Sequence, residues 1–418
     1  MMVIEQTKTM LESIPAEIAS GQFVRDEKAV FAMKMLSLLS RYTFMSRKEL
    51  MALIICRGVQ LTVEHGVCND GIVFIAHYAY LLTSTGNLAA GNKCKHLALS
   101  LIDRDRFKAK ETLPLVYIQV YAQMIPIDPV QANFPQLEVA YRMAKEHGDM
   151  QVYCIAMNRE VAVRFFYGDS LQSIETTARI HIQAMDNMQE NLFSIFTKLF
   201  LQATVNLVDP SSNDPSTLTG EITDQTALLS LAKQMNNFAL VVQIFRLRIY
   251  IAYLFRQYDL ASELANDMLT TFTGSGASIQ FLPNGCFVPG TFHIGLVSLH
   301  MARTKDAEKW LPVADDCMNR MKTWSEASQW NFGHMMRLME AEKSYCRGDH
   351  VKAQAAYGDA IRLAGEHKFI HDQALCLERA ALYYADTFGD ASELCVRYMA
   401  EARELYAKWG ALKKAATM

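Results

Sequence analysis

The stretch EAEKSYCRGDHVKAQAAYGDAIRL, Glu340 to Leu363, reads as two helices joined by a tight turn. Gly348-Asp349 ends the first helix, and small Ala353 lets the second pack close against it. Tyr357 fills the gap between the pair, and Ala360-Ile361 closes the contact at helical spacing. Such a unit cannot bury its apolar face alone, so finding one predicts neighbours.

The neighbours are visible in the same register. Turn-forming residues recur at Phe44-Met45-Ser46, Thr85-Gly86-Asn87, Ile127-Asp128-Pro129, Gly168-Asp169-Ser170 and Asp209-Pro210, with positions 45, 86, 127, 168 and 209 each 41 residues apart. Further turns follow at Tyr258-Asp259, Thr304-Lys305, Gly348-Asp349 and Gly389-Asp390. A second marker, Glu64-His65-Gly66, Glu146-His147-Gly148 and Glu366-His367, closes the helix after its turn. Glycine there supplies a left-handed cap, and histidine meets the negative end of the helix dipole. The reading is an all-α protein, an α-solenoid of about nine degenerate tetratricopeptide-like helix pairs in a right-handed superhelix. No strand-like alternation of useful length is present. The expected organisation is an N-terminal extension (1–25), a first array (26–208), a flexible polar loop (209–225) and a second, continuous array (226–418). The Gly/Pro-punctuated segment Thr273 to Gly290 is expected to fold back onto the solenoid through Ile279, Phe281, Leu282 and Phe287.

Composition narrows the functional classes. Half of the residues are hydrophobic (51%) and a fifth charged (20%), as in a folded protein with a large buried surface. The net charge of −3 comes without any dense Lys/Arg run, which argues against nucleic acid as a partner. Nine scattered cysteines, odd in number and never spaced CxxC, suit reduced thiols in the cytoplasm. The N-terminus lacks the apolar core of a signal peptide. The most apolar segment, Phe238 to Phe255, carries Arg246 and Arg248 at its centre, which favours a buried helix with two arginines reaching a polar edge over a membrane span.

Catalytic patterns are missing. GxxxxGK[ST], HExxH and GxSxG do not occur. His367 and His371 are separated by a helix boundary, His293 and His300 share a helix without an evident carboxylate or cysteine partner, and Cys94 and His96 point apart. All read as core or capping residues. No catalytic, cofactor or metal site is expected, and the chain is read as non-enzymatic.

The last third carries a more specific series: Trp324, Asn331-Phe332-Gly333-His334, Glu340-Ala341-Glu342, Arg347-Gly348, Ala353, Tyr357 to Ile361, Asp372, Glu378, Tyr383, Tyr398 and Trp409-Gly410-Ala411. It resembles the helical repeat region that follows the AAA-type ATPase module in large multi-domain signalling kinases, the bacterial multi-sensor Ser/Thr-plus-histidine kinases and fungal hybrid histidine kinases. Leu61 to Gly66, Ala76-His77-Tyr78 and Ala144 to Gly148 resemble that region's first half more loosely. No kinase core, Walker motif, GAF domain or phospho-acceptor histidine block accompanies it. Trp330 departs from the family, which has a small or acidic residue there. The resemblance implies a regulatory or interaction module whose partners are a protein segment or neighbouring ATPase and kinase domains, with a small ligand as a further possibility. Trp324, Asn331 and His334 form the candidate ligand or partner face, since Asn331 and His334 share one side of a helix; otherwise they anchor the 273–290 loop. The alternative reading is a free-standing peptide-binding adaptor of the co-chaperone type. Met335, Leu338, Glu342 and Tyr345 stand where such a clamp needs basic residues.

Overall fold

The computed structural model describes residues 2–12, 23–46, 48–103, 111–211, 214–274 and 287–418. Twenty α-helices account for most of them. Among the described residues no strand forms, and Phe23 and Val67 make an isolated bridge. The protein is an all-α helical-repeat solenoid. It divides into two compact units: the first holds Met1–Ile127 and Ala132–Glu160, and the second holds Asp128–Gln131 and the described residues from Val161 to Met418. The division lies near residue 160.

In the first unit α1 (Met2–Glu12) packs on α3 (Lys48–His65), and α2 (Glu27–Ser46) pairs with α3. Helices α4 (Asn69–Ser84) and α5 (Leu88–Ile102) form the next pair, followed by α6 (Leu113–Ile118) with α7 (Phe134–Glu146). The first helices of successive pairs also touch, α2 on α4 and α4 on α6. The expected 1–25 extension thus contains a packed helix. Residues 13–22 lie outside the described ones.

Helix α8 (Met150–Phe166) leads through Gly168 into α9 (Leu171–Asn187), and α9 packs on α10 (Asn191–Val208). The second unit continues with α11 (Gln225–Gln234), α12 (Phe238–Leu254), α13 (Tyr258–Gly274), α14 (Phe287–Thr304), α15 (Ala307–Ala327), α16 (Gln329–Cys346), α17 (His350–Glu366), α18 (Ile370–Phe388), α19 (Glu393–Trp409) and α20 (Leu412–Ala416). Pairing is again sequential, and α10, α12, α14, α16 and α18 pack in that order as an inner row. On α17 the buried residues are Ala353, Tyr357, Ala360 and Ala364, one stripe at spacings of four, three and four.

One corner device recurs. A left-handed residue ends the helix, and the next residue donates its N–H five positions back: Asp149 to Ala144 O (3.1 Å), Asp169 to Arg164 O (3.0 Å), Gln257 to Ala252 O (2.9 Å), Asp349 to Ser344 O (2.9 Å) and Phe369 to Ala364 O (2.9 Å). That satisfies carbonyls a helix end would leave unpaired. At several corners the same donor residue then caps the next helix, as when Asp349 Oδ1 accepts from Lys352 N. Gly148, Gly168 and Gly348 fill the left-handed position, but so do Gln189, Asn236, Arg256 and Lys368.

Gly168 and Gly348 make opposite demands. At Gly168 (φ +78) a Cβ would lie 2.0 Å from His371 Nδ1, whereas at Gly348 (φ +72) nothing lies within 4 Å. Gly348→Ala should therefore cost the backbone term alone, about 1–2 kcal/mol. Gly168→Ala adds a steric clash in the core and should cost about 3 kcal/mol or more. Chemical denaturation of the two variants side by side checks this; equal losses would refute the contact with His371.

The 209–225 loop is tied down, contrary to the expectation of a flexible insertion. Asn206 Nδ2 donates to Pro215 O (2.9 Å) and Thr217 O (2.8 Å), and Gln202 Oε1 accepts from Ile222 N (3.1 Å). Leu218 and Ser216 are fully buried. Buried side-chain amides on α10 thus bind the loop's backbone alongside the apolar anchor Leu218. Residues 212–213 lie outside the described ones, as do 275–286, the middle of the 273–290 segment. Arg246 is buried over the rings of Phe166 and Phe287, at 4.9 and 5.9 Å. Arg248 donates to Ser216 O (3.2 Å). Among the described residues one helix, α10, is long and apolar enough to cross a membrane, and 61% of it is buried.

The inner row of the second unit closes on itself. Trp409 Nε1, at the end of α19, donates to Asp169 O (2.9 Å) beside α9. Lys413 Nζ donates to Pro210 O (3.0 Å), and α20 packs on α10. Helices α12, α14 and α18 are consequently buried almost all round.

Candidate functional site

Ionisable residues interrupt the apolar runs of the inner row at a spacing of seven or eight: His293 and His300 on α14, His334 and Glu342 on α16, Asp372 and Arg379 on α18. Two helical turns separate such positions on one face, so parallel neighbouring helices stack them in layers.

In the first layer His334 Nε2 lies 2.8 Å from Asp372 Oδ2, with the carboxylate accepting, and its ring stacks on Phe369 at 4.6 Å. His371 Nε2 is 3.6 Å from Asp372 Oδ1 and 3.3 Å from Phe166 O. His293 packs against Tyr250 at 4.5 Å. Burial would push the Asp372 carboxyl up, but His371 and the His334 hydrogen bond outweigh it and hold the carboxyl below its usual range. Burial lowers the His293 imidazole to about 4, against the pull of Asp372.

The second layer is ionic. Arg379 grips Glu342 with two parallel bonds, Nε to Oε1 (2.8 Å) and Nη2 to Oε2 (2.9 Å), and both side chains are buried. Tyr357 donates its hydroxyl to Glu342 Oε1 (2.8 Å), and Arg379 Nη1 donates to the Tyr258 hydroxyl. His300 stacks on Tyr258 at 3.7 Å. Burial opposes ionisation of Glu342, yet the Arg379 charge outweighs it and lowers the carboxyl. On the other side of α18, Glu378 accepts from Lys414 Nζ (2.7 Å) and Arg256 Nε (2.6 Å) through Oε1 and from the Tyr406 hydroxyl (2.9 Å) through Oε2. Lys414 thereby fastens the short α20 to the inner row.

These groups are buried and face each other. Both oxygens of Glu342 and of Glu378 are engaged, which leaves neither carboxylate free to move a substrate proton. Among the described residues no three His, Cys, Asp or Glu are arranged to hold a metal ion. None of the eight described cysteines is in a disulfide.

The expected face of Trp324, Asn331 and His334 is not on a surface: all three are buried. Asn331 Oδ1 accepts from Val130 N (3.0 Å) and its Nδ2 donates to Asp128 O (2.8 Å), so it holds the 128–131 strap rather than a ligand. Trp324 packs in the interior near the end of α15, and His334 belongs to the Asp372 layer. Trp330, half-exposed, donates to Gln131 Oε1 (3.2 Å) and stacks on His367 at 4.3 Å. His293 has a carboxylate in electrostatic reach, Asp372, which sequence reasoning missed along with Arg379, Glu378, Lys414 and Tyr258. The available signal was an ionisable residue at a position whose neighbours along the helix face are apolar, as with Glu342 after Met335 and Leu338. A cleft of about 350 Å³ opens in the first unit between α1, α4 and α5, with Lys8 and Lys93 beside Leu11, Leu82 and Leu97.

No protein-family model matches the chain. No curated protein matches it either. Among solved structures, one titled "Circular tandem repeat protein with novel repeat topology and enhanced subunit contact surfaces" aligns over 99% of this chain and 98% of that chain at 12% identity. Its TM-score of 0.19 is too low to speak for a common architecture.

Proposed function

We propose that this helical-repeat protein is a non-catalytic scaffold, a regulatory or interaction module in cytoplasmic signal transduction. It would engage a protein segment or a neighbouring ATPase or kinase domain on its helices, and any phosphoryl chemistry would lie in those domains. The observation that carries the reading is the burial and mutual pairing of Glu342 with Arg379, of Glu378 with Lys414 and of His334 with Asp372. An active site exposes at least one such group to a cavity, and here the strongest candidates are committed to one another. A repeat array stiffened in this way transmits a docking event through packed helices rather than by chemistry. Burial of Met335, Leu338 and Glu342 weighs against a carboxylate clamp on α16. Helices α12, α14 and α18 are buried over most of their length, so docking falls to the outer helix faces or, for a small ligand, to the cleft beside α1.

The purified chain should hydrolyse no ATP and transfer no phosphate. Added to an AAA-type ATPase or histidine-kinase domain encoded with it, it should change that domain's turnover severalfold. Nucleotide turnover by the chain alone, lost in an Asp372→Asn variant that still folds, would sink the scaffold reading. An unchanged turnover of the added domains would sink the signalling role.

A further inference from the structure

The cleft of the first unit has an apolar floor and two cations. Tyr78 and Leu82, one helical turn apart on α4, are fully buried and form part of the floor. The Tyr78 hydroxyl donates to Ile4 O (2.6 Å), which seats the start of α1 on α4. Ile4, Lys8 and Leu11 follow one another at spacings of four and three, so they share one face of α1. Ile4 is buried, whereas Lys8 and Leu11 are half-buried and line the open space. On the other wall Gly91 draws α5 against α4, where a Cβ would lie 2.5 Å from Thr83 Cγ2. Ala90 and Cys94, four residues apart on α5, are too short to fill what remains.

Size and charge together select an occupant. The cleft holds about 350 Å³. At the roughly 30 Å³ that a water-sized atom occupies in a liquid, that is room for about a dozen non-hydrogen atoms. Lys8 and Lys93 line it, and no carboxylate is among its described lining residues. Lys93 is exposed. Lys8 meets the exposed Glu5 at 3.6 Å, a surface pair that a ligand can exchange at little cost. An apolar floor beside ammonium groups complements an apolar chain that ends in a carboxylate. A cation would meet like charge there, and a bare anion such as phosphate would leave Leu11, Leu82 and Leu97 uncovered.

We propose that this cleft binds a medium-chain fatty carboxylate of about ten carbons, with its chain along Tyr78, Leu82 and Leu97 and its carboxylate taken by Lys8 and Lys93. The proposal rests on the reading of the cleft as the scaffold's small-ligand site. Calorimetric titration of the full chain with decanoate, below its micellar concentration, should give one site with a dissociation constant on the order of 10–100 µM. Decanol should bind about tenfold more weakly, and decyltrimethylammonium more weakly still. Lys8→Met combined with Lys93→Met should bring decanoate down to the affinity of decanol and leave decanol unchanged. Ala90→Leu should abolish binding of both, with the circular dichroism of the parent. Absence of saturation, equal affinity for the three head groups, or full decanoate affinity in the lysine variant overturns the proposal. No ATPase or kinase domain enters this titration. A chain that binds decanoate but leaves the added domains' turnover unchanged upholds the ligand and loses only the signalling role. A chain that alters their turnover yet binds no decanoate loses only the ligand.

Discussion

Replacing Arg379 with methionine should destabilise the second unit by about 3–5 kcal/mol, because it leaves Glu342 buried and without its counter-charge. The variant keeps the length and much of the volume of the side chain, so packing changes contribute little. Changing Glu342 to glutamine in the same chain should recover most of the loss, since an amide can still meet Tyr357 and no longer needs a cation. The measurement is simple in this protein. All four tryptophans (310, 324, 330 and 409) lie in the second unit, so the urea dependence of tryptophan fluorescence follows that unit alone. A loss below about 1 kcal/mol would place the pair among solvated ion pairs and contradict its burial.

The second large effect is with acid. The His293 imidazole ionises near 4 in the folded protein against 6.5 in an open chain, because burial disfavours its charged form. Above pH 6.5 it is neutral in both states and its full contribution to stability is present. As pH falls toward 4 the unfolded chain binds the proton first, and the contribution is lost. At pH 5 the linkage comes to about 2 kcal/mol. Asp372, His371 and Arg246 surround the ring, and Asp372 partly offsets the burial. His293→Phe keeps an aromatic ring against Tyr250 and Phe292 and should lessen the loss of tryptophan-monitored stability between pH 7 and 5. The remainder comes from His300, also lowered to about 4 by burial, and from His371, lowered by burial too. Identical acid sensitivity in parent and variant would rule out His293 as the titrating group. His77, buried on α4 and also lowered to about 4, gives the first unit the same dependence, read by circular dichroism. Below pH 4 the carboxyls of Asp372, Glu342 and Glu378, all held low, add their own losses to the second unit.

Helix pairs were legible because their corners are local. Gly348-Asp349 and the apolar stripe of Ala353, Tyr357 and Ala360 depend on contacts within a few residues, and the structure places them as read. The turn read at Tyr258 sits two residues early, at Arg256, because a non-glycine residue there takes the left-handed position and leaves no mark in the sequence. The interior was harder to read. Arg379 in CLERAALYY looks like an outward charge on an amphipathic helix. It turns inward only because Glu342, 37 positions away, is delivered opposite it. Asn331 looked like half of a recognition face, but its partners lie about 200 residues earlier in the chain. Such pairings depend on how pairs stack, which no local pattern encodes. The tethering of the 209–225 loop was missed for the same reason: Gln202 and Asn206 look like helix-surface amides until the loop returns over them.

The bonds from Trp409 to Asp169 and from Lys413 to Pro210 give the second unit a property that open repeat arrays lack. A linear stack melts by fraying, because its terminal repeats have one neighbour each and local free energies grade from tip to middle. A stack whose last helices are seated on its first has no tips. Each pair is held from two sides, so opening anywhere breaks two junctions, and amide protection should be nearly even around the unit. Regulation by partial unfolding of an end repeat is closed to such an assembly, which can only stay shut or come apart as a whole.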